Sequence, residues 1–378
     1  MIDKQYGSAT NYIKLGNVAD YKILIPPLAE QKRIVEKLDK LISKVDEAKA
    51  RLEKIPLLLK RFRHSVLNAA VTGELTKEWR ERNENIKSSE DLLNEIIALR
   101  TREYEKLYSL WKSKKAKKPT KSYEIEFEKY PNIDSWSIAK LENLIYIAGR
   151  IGWRGLKAEE YTKDGPLFLS VHNLNKGLIV DLNDTYHISE ERYFESQEIQ
   201  LIEDDILLAK DGAGIGKIAI LKNFKERATV NSSLLVIRSL EAFIPEYLLY
   251  FLAGPELQNL AKQRITGSAT PHLFQKDIKE FQLTVPPLAE QTEIVRRVEA
   301  LFKKADEIEE RYKKAKAFVD KLTQSILAKA FRGELVPQDP NDEPASDLLE
   351  RIKLEKEKLH SNKKENKHNR TRKKGNKD

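Results

Sequence analysis

The residue types that could do chemistry gather in three loops. The first reads Lys210-Asp211-Gly212-Ala213-Gly214-Ile215-Gly216-Lys217. A nucleotide-cradling loop needs a glycine, four residues, then Gly-Lys-Ser/Thr. Asp211 stands where the leading glycine belongs and Ile218 replaces the hydroxyl residue. The dinucleotide fingerprint fails too, because the glycines run Gly-x-Gly-x-Gly. What remains is a tight turn between two apolar runs. Its free amides, with Lys210 and Lys217, could approach a DNA backbone closely; a plain hairpin turn fits the residues equally well. The second loop, Gly149–Gly155, holds Arg150, Trp153 and Arg154 among three glycines, with Lys157 just beyond. Arginine reads guanine edges bidentately, so this composition favours DNA over a loop of solvated arginines. The third, Arg264–His272, offers Arg264, Ser268, Thr270 and His272. Its Gly-Ser-Ala-Thr core recurs at Gly7–Thr10, so it either shapes a junction or meets a ligand common to two units.

No catalytic constellation accompanies these loops. The chain has no cysteine, which excludes thiol catalysis, disulfides and cysteine-held metal. Its six histidines (64, 172, 187, 272, 360 and 368) show no metal spacing and form no His-Glu-x-x-His string. Neither a Gly-x-Ser-x-Gly elbow nor an Asn-Pro-Pro-Tyr methyltransferase string occurs. The expectation is a protein without catalysis, metal or cofactor of its own.

The elements that must position the loops are organised by a repeat. Pro26-Pro27-Leu28-Ala29-Glu30-Gln31 returns as Pro286-Pro287-Leu288-Ala289-Glu290-Gln291, and Gly73-Glu74-Leu75 as Gly333-Glu334-Leu335, always 260 residues on. Between those ends each copy reads as one long helix. Pro-Pro suits a first turn that needs no donor, and glycine suits the stop. Apolar steps of three and four form a narrow coiled-coil seam, with Val35, Leu38, Ile42, Leu52 and Leu59 in copy one and Val295, Val298, Phe302, Tyr312 and Val319 in copy two. Each helix would be a rod of roughly 65 Å at 1.5 Å per residue, with Pro56 kinking or breaking the first alone. The two seams are expected to pair antiparallel within one chain, as spacer and interface.

The fold class expected is α+β: one globular α/β domain and an antiparallel coiled coil of two long helices. The boundaries are read as 1–25, the end of a domain otherwise missing; 26–112, the first long helix and a following helix capped by Ser88 or Ser89; 113–130, a Lys-rich linker; 131–285, the globular domain; 286–352, the second long helix and a last helix; and 353–378, a disordered basic tail. The net charge of +9 is uneven. The tail contributes +7 and the run Lys112–Lys121 +6, leaving −4 elsewhere; the segment 131–285 itself carries 17 basic and 21 acidic residues. Nucleic-acid binding by that segment must therefore use local patches rather than bulk charge. With no signal peptide and no apolar run of about 20 residues, a cytoplasmic protein away from the membrane is expected.

The doubled Pro-Pro-Leu-Ala-Glu-Gln helix, the Gly-Ser-Ala-Thr loop before each copy and the string Asp205–Ile218 resemble the DNA specificity subunit of type I restriction–modification systems. The resemblance covers nearly the whole chain apart from the lysine run and the tail. It implies a non-catalytic subunit whose recognition domains each read one half of a split site on double-stranded DNA, held apart by the helical rod. Its implied partners are modification subunits, which methylate adenine from S-adenosylmethionine, and restriction subunits, which translocate and cleave DNA with ATP and Mg. Against that pattern this chain carries one complete recognition domain and only the end of another, which implies either a truncated product or a second specificity chain supplying the missing half. The competing readings are a non-catalytic coiled-coil adaptor, a truncated subunit without sequence reading, and an ATP-binding enzyme using Gly212–Lys217.

Overall fold

The computed structural model describes residues 22–115, 117–150, 156–267 and 272–374. Along the chain run helices α1 (Leu28–Leu52), α2 (Ile55–Val71), α3 (Lys77–Arg82) and α4 (Ser89–Lys112), then strands β1 (Phe127–Lys129), β2 (Ser137–Lys140), β3 (Ile145–Gly149), β4 (Thr162–Leu169) and β5 (Tyr186–His187). Helix α5 (Glu190–Phe194), strands β6 (Ile206–Ala209), β7 (Ile218–Ile220), β8 (Ala228–Val230) and β9 (Leu234–Ser239), and helices α6 (Pro245–Leu252), α7 (Pro255–Gly267) and α8 (Gln275–Lys279) follow. Strand β10 (Gln282–Val285) leads into α9 (Leu288–Phe331), and α10 (Ala345–Lys374) closes the chain. No helix among the described residues is long and apolar enough to cross a membrane.

The repeated hexapeptide has a local physical cause. In each copy the glutamine amide donates back to the carbonyl of the first proline, Gln31 to Pro26 and Gln291 to Pro286, both at 2.9 Å. The glutamine backbone N–H closes the first turn on the second proline. The stops also match: Gly73 and Gly333 both take positive φ, 81° and 72°, the left-handed conformation glycine adopts without strain. The copies differ in the middle. Copy two is one 44-residue helix, whereas copy one is interrupted at Glu53–Lys54 and resumes at Ile55. Pro56 is the reason, since it has no N–H to give Leu52.

Two compact units divide the chain, residues 1–56 with 308–378, and residues 57–307. In the first unit α1 buries Ile34 and Val45, with Leu38, Ile42 and Leu52 half-buried. From α9 the same unit takes Tyr312 and Val319, half-buried, and buried Ile326 and Ala330. Val35 is the correction to the expected seam: it is 55% exposed, and its neighbour Ile34 faces inward instead. Arg33 pairs with Asp342, beyond the end of α9, so the start of one helix meets the exit of the other. The basic tail is also corrected. Helix α10 runs on to Lys374 rather than giving way to a disordered tail at 353, because Lys, Glu and Arg favour helix and no breaker intervenes before Gly375.

In the second unit the helices and the globular domain share one core, which overrides the boundaries at 112, 130 and 285. Val66, Leu67 and Ala70 of α2, Leu93 and Ile96 of α4, and Ile294 and Val298 of α9 join Trp136, Leu283 and the α6 side chains in a single apolar cluster. The seam residues Leu59 and Val298 are buried, with Val295 and Phe302 packed half-exposed. Arg63 bonds Asp306 at 2.6 Å and Arg297 donates to the Leu75 carbonyl at 2.7 Å, so α2 and this part of α9 run antiparallel. The expected linker is shortened too, since Phe127–Lys129 forms β1, antiparallel to β2, with β10 on the other side of β2.

Arg296 and Arg297 bridge Glu293 at 2.7 and 2.6 Å and, despite partial burial, hold its carboxyl at about 2 instead of 4.5. The folded chain therefore takes up this proton at lower pH than the unfolded chain does. The stabilisation is complete above the unfolded value and is lost as pH falls toward about 2. Because the partners are partly solvated, Glu293→Gln should lower stability by about 1 kcal/mol at neutral pH. Denaturant titrations of the two forms should converge as pH falls through that window; a gap independent of pH would refute the assignment.

Candidate nucleic-acid interface

The recognition domain is built on the antiparallel sheet β3-β9-β6-β7. Alternate residues of β6 feed different cores: Ile206 and Leu208 face the helices, Leu207 and Ala209 a second cluster with Leu167, Leu169 and Val230. A strand buried on both faces must be apolar throughout, which is why Ile206–Ala209 reads as an unbroken run. The register pairs Gly149 with Leu235, Ala209 with Leu234 and Leu208 with Ile218. The exit of β3, the exit of β6, the entry of β7 and the entry of β9 thus share one edge of the sheet. From it rise the turn 210–217 and the turn Asn231–Ser233, beside the end of β3 at Gly149.

The turn 210–217 is fixed from several sides. Lys210 N–H donates to the Ser233 carbonyl, and the Lys210 carbonyl accepts from Leu273 N–H, both at 2.9 Å. His272 Nδ1 hydrogen-bonds the Asp211 carboxylate, and its ring meets Phe274 edge-on at 4.4 Å. Gln258 of α7 donates to the Gly216 carbonyl at 2.9 Å. Gly214 is required for contact, since a Cβ there would lie 2.3 Å from Val171 Cγ1. The expected strand–turn–strand is thus present, with a short 3-10 turn over Gly212–Gly214.

Of the residues singled out from the sequence, Lys210, Lys217 and His272 come together on this edge. Lys217 is exposed and donates to Asn175 Oδ1 at 2.5 Å, while Lys210 lies 3.5 Å from the Asp211 carboxylate. Arg264 is half-exposed at the end of α7, bonded to Asp277 at 2.7 Å and over the Phe274 ring. Arg150 is turned inward. It is 3% exposed, donates to the Val230 carbonyl at 3.0 Å and lies over the Phe168 ring, so its guanidinium braces β8 and is not presented on the surface. Lys157 is exposed beside the short turn Ala158–Glu160, and no described contact joins it to this edge. Trp153, Arg154, Ser268 and Thr270 lie outside the described residues. Sequence reasoning missed Asn175, Gln258 and the turn Asn231–Ser233; the string Asn-Ser-Ser between two apolar runs was the available signal.

The domain is locked to the second long helix through the repeated Glu-Gln pair. Glu290 is 1% exposed and accepts from Trp136 Nε1 at 2.7 Å, Thr76 Oγ1 at 2.7 Å and Arg80 Nη1 at 2.5 Å. Gln291 accepts from Ile244 N–H and donates to the Ala242 carbonyl, tying the loop before α6 to the helix. In copy one Glu30 is 3% exposed, yet its Oε1 has no hydrogen-bond partner among the described residues. Ile23, Leu24 and Ile25, the counterparts of Leu283–Val285 of the paired strand β10, are exposed.

This combination, a mixed sheet domain bolted to the start of a long helix whose whole pattern occurs twice, defines a class. The chain belongs to the family of the type I restriction modification DNA specificity domain, whose model matches residues 1–57 and 101–316. Among individual relatives it is 37% identical over 348 residues to the type I restriction enzyme EcoBI specificity subunit of Escherichia coli, covering 89% of this chain and 65% of that one. To the EcoKI specificity subunit of Escherichia coli strain K12 it is 34% identical over 369 residues, covering 93% of this chain and 67% of the relative. A solved chain from a study of assembly and conformational transition of the type I R-M system shares the fold at a TM-score of 0.54 and 17% identity, over 87% of this chain and 65% of that one.

Proposed function

We propose that this chain is a sequence-specific DNA-binding specificity subunit whose recognition domain reads one half of a bipartite duplex site. The observation that carries the reading is the sheet register that gathers the turn 210–217, the end of β3 at Gly149 and the turn Asn231–Ser233 on one edge, within a domain whose bulk charge is acidic. A domain that bound DNA only through charge would not need a turn clamped by Gln258, His272 and Ser233. Clamped donors are what base reading requires, and phosphate contacts set the register. The partners proposed are modification subunits, which would hold S-adenosylmethionine and methylate adenine, and restriction subunits, which would use ATP and Mg. Exposed Leu57, Leu58 and Phe62 on α2 suit such subunits as apolar contacts. No cofactor is proposed for this chain itself.

A second recognition domain completes the proposal. Glu290 and Gln291 are satisfied by Trp136, Ala242 and Ile244 of the domain they carry, and copy one offers the same pair at Glu30 and Gln31. We propose that a second domain of this type, on another stretch of chain or a second specificity chain, supplies an indole or guanidinium donor to Glu30. The test of the main reading is exchange of residues 131–285 with those of a relative, with methylated sites then mapped in cells that hold the modification subunits. One half of the methylated sequence should change and the other stay constant. An unchanged sequence would favour a coiled-coil adaptor that does not read DNA.

A further inference from the structure

The lysine run 112–121 is not used by the recognition edge, and the structure gives it a setting of its own. Helix α4 carries Tyr104, Tyr108 and Trp111 on one face, with ring centroids 5.6 Å and 5.2 Å apart in sequence along it. Tyr123, beyond the run, returns to meet Tyr104 edge-on at 5.3 Å. Two of the lysines are folded onto this ladder. Lys112 Nζ stands 5.1 Å over the Tyr108 ring and Lys118 Nζ 5.6 Å over Trp111. Aromatic faces attract cations, so the rings gather positive charge that would otherwise spread into solvent. Among the described residues Lys112, Lys114, Lys115, Lys117 and Lys118 have no carboxylate partner, while Lys121 alone is drawn to Glu124, at 3.4 Å.

The site is also placed apart. Arg100 of α4 is buried, donates to the Ser122 carbonyl at 2.8 Å and the Asn143 carbonyl at 2.6 Å, and pairs with Glu241. Asn143 precedes β3 and Glu241 follows β9, so α4 is pinned at the end of the sheet opposite the recognition edge. The length of β3 separates this Arg100 anchor from the recognition edge by about 16 Å at ~3.3 Å per residue.

We infer that the α4 aromatic ladder and its lysines form a second nucleic-acid site, which binds the phosphodiester backbone without regard to sequence. Unpaired lysines over a row of rings are the combination that grips a strand, with ammonium groups on phosphates and exposed ring area for bases. An acidic protein would need the charges but would gain little from the ring ladder. The site rests on no property of the recognition edge, so the two fail independently.

The test uses the full chain and three labelled probes: a 20-mer duplex of unrelated sequence, a 20-mer of dT, and polyglutamate. The variant K114Q/K115Q/K117Q/K118Q should bind both oligonucleotides roughly 10- to 100-fold more weakly at low salt. Its slope of log affinity against log salt should be shallower by about 3, as expected for four lost phosphate contacts at 0.7–0.9 each. Trp111→Phe should abolish most of the tryptophan quenching caused by dT and leave far-ultraviolet circular dichroism unchanged. Unchanged affinity and slope in the quadruple variant would overturn the inference, and so would polyglutamate binding as tightly as dT. In the same variant, assembled with modification subunits, the methylated sequence should be the wild-type one. Loss of sequence preference in the wild-type assembly would strike the recognition reading and leave this one standing.

Discussion

Replacing Arg80 by alanine is expected to destabilise the 57–307 unit by about 3–5 kcal/mol, the usual consequence of removing one partner of a buried ion pair. Glu290 is 1% exposed, and its carboxylate is held by one guanidinium and two neutral donors, Thr76 and Trp136. Without Arg80 the negative charge remains buried with hydrogen bonds but no countercharge. Arg80 also lies 5.4 Å over the Trp136 ring and donates to the Gly73 carbonyl at 2.8 Å, so its loss frees the helix stop as well. The double variant Arg80→Leu/Glu290→Gln removes both charges, keeps an amide oxygen to accept from Trp136 Nε1 and turns an amide N–H toward Thr76 Oγ1, which can accept it. It should cost less than Arg80→Ala alone, because the strong penalty comes from stranding one charge rather than from lacking the pair. Urea titrations followed by circular dichroism and tryptophan emission measure both. An Arg80→Ala cost below about 1 kcal/mol would mean that the carboxylate does not depend on the guanidinium.

What the sequence revealed follows from how local the cause of each feature is. Both long helices were legible because Pro-Pro at the start and glycine at the stop act through their own backbones, and the interruption before Pro56 was legible for the same reason. Ile206–Ala209 and Pro245–Leu252 carry local signals of the same kind. The first is apolar on both faces and the second opens on proline. Strands β1, β2, β5 and β8 were missed, since two to four residues hold too few alternations to show a period and only their partners make them strands. The seam slipped by one position at Val35 because adjacent apolar residues, Ile34 and Val35, satisfy a three-four spacing equally well. Arg150 shows the limit for sites. A donor-rich loop has the same composition whether its arginine faces outward or reaches the Val230 carbonyl, and only the fold of β8 decides. The candidate edge itself was half legible: the turn 210–217 was named, but its place beside Gly149 and the turn Asn231–Ser233 belongs to the register of β3, β6, β7 and β9.

That convergence yields the second large effect. The double substitution Lys210→Ala/Lys217→Ala is expected to weaken DNA binding by roughly 10- to 100-fold at physiological salt, by nearly the same factor for target and unrelated duplex. The two ammonium groups flank one turn, and Asp211 between them is a carboxylate that would repel phosphate were it not engaged by His272 and close to Lys210. Removing the lysines deletes about two phosphate contacts and uncovers that repulsion, so the slope of log affinity against log salt should fall by about 1.8. Specificity, the ratio between target and unrelated duplex, should hardly move, because lysines on phosphates position the protein and do not read bases. Stability should also change little, as Lys217 is exposed and the turn is fixed by backbone bonds to Ser233 and Leu273. Equilibrium binding over a salt series, with the chain assembled on its modification subunits, separates these quantities. If the double variant lost discrimination while keeping its salt slope, the two lysines would be reading bases, and the phosphate role assigned to them would be wrong.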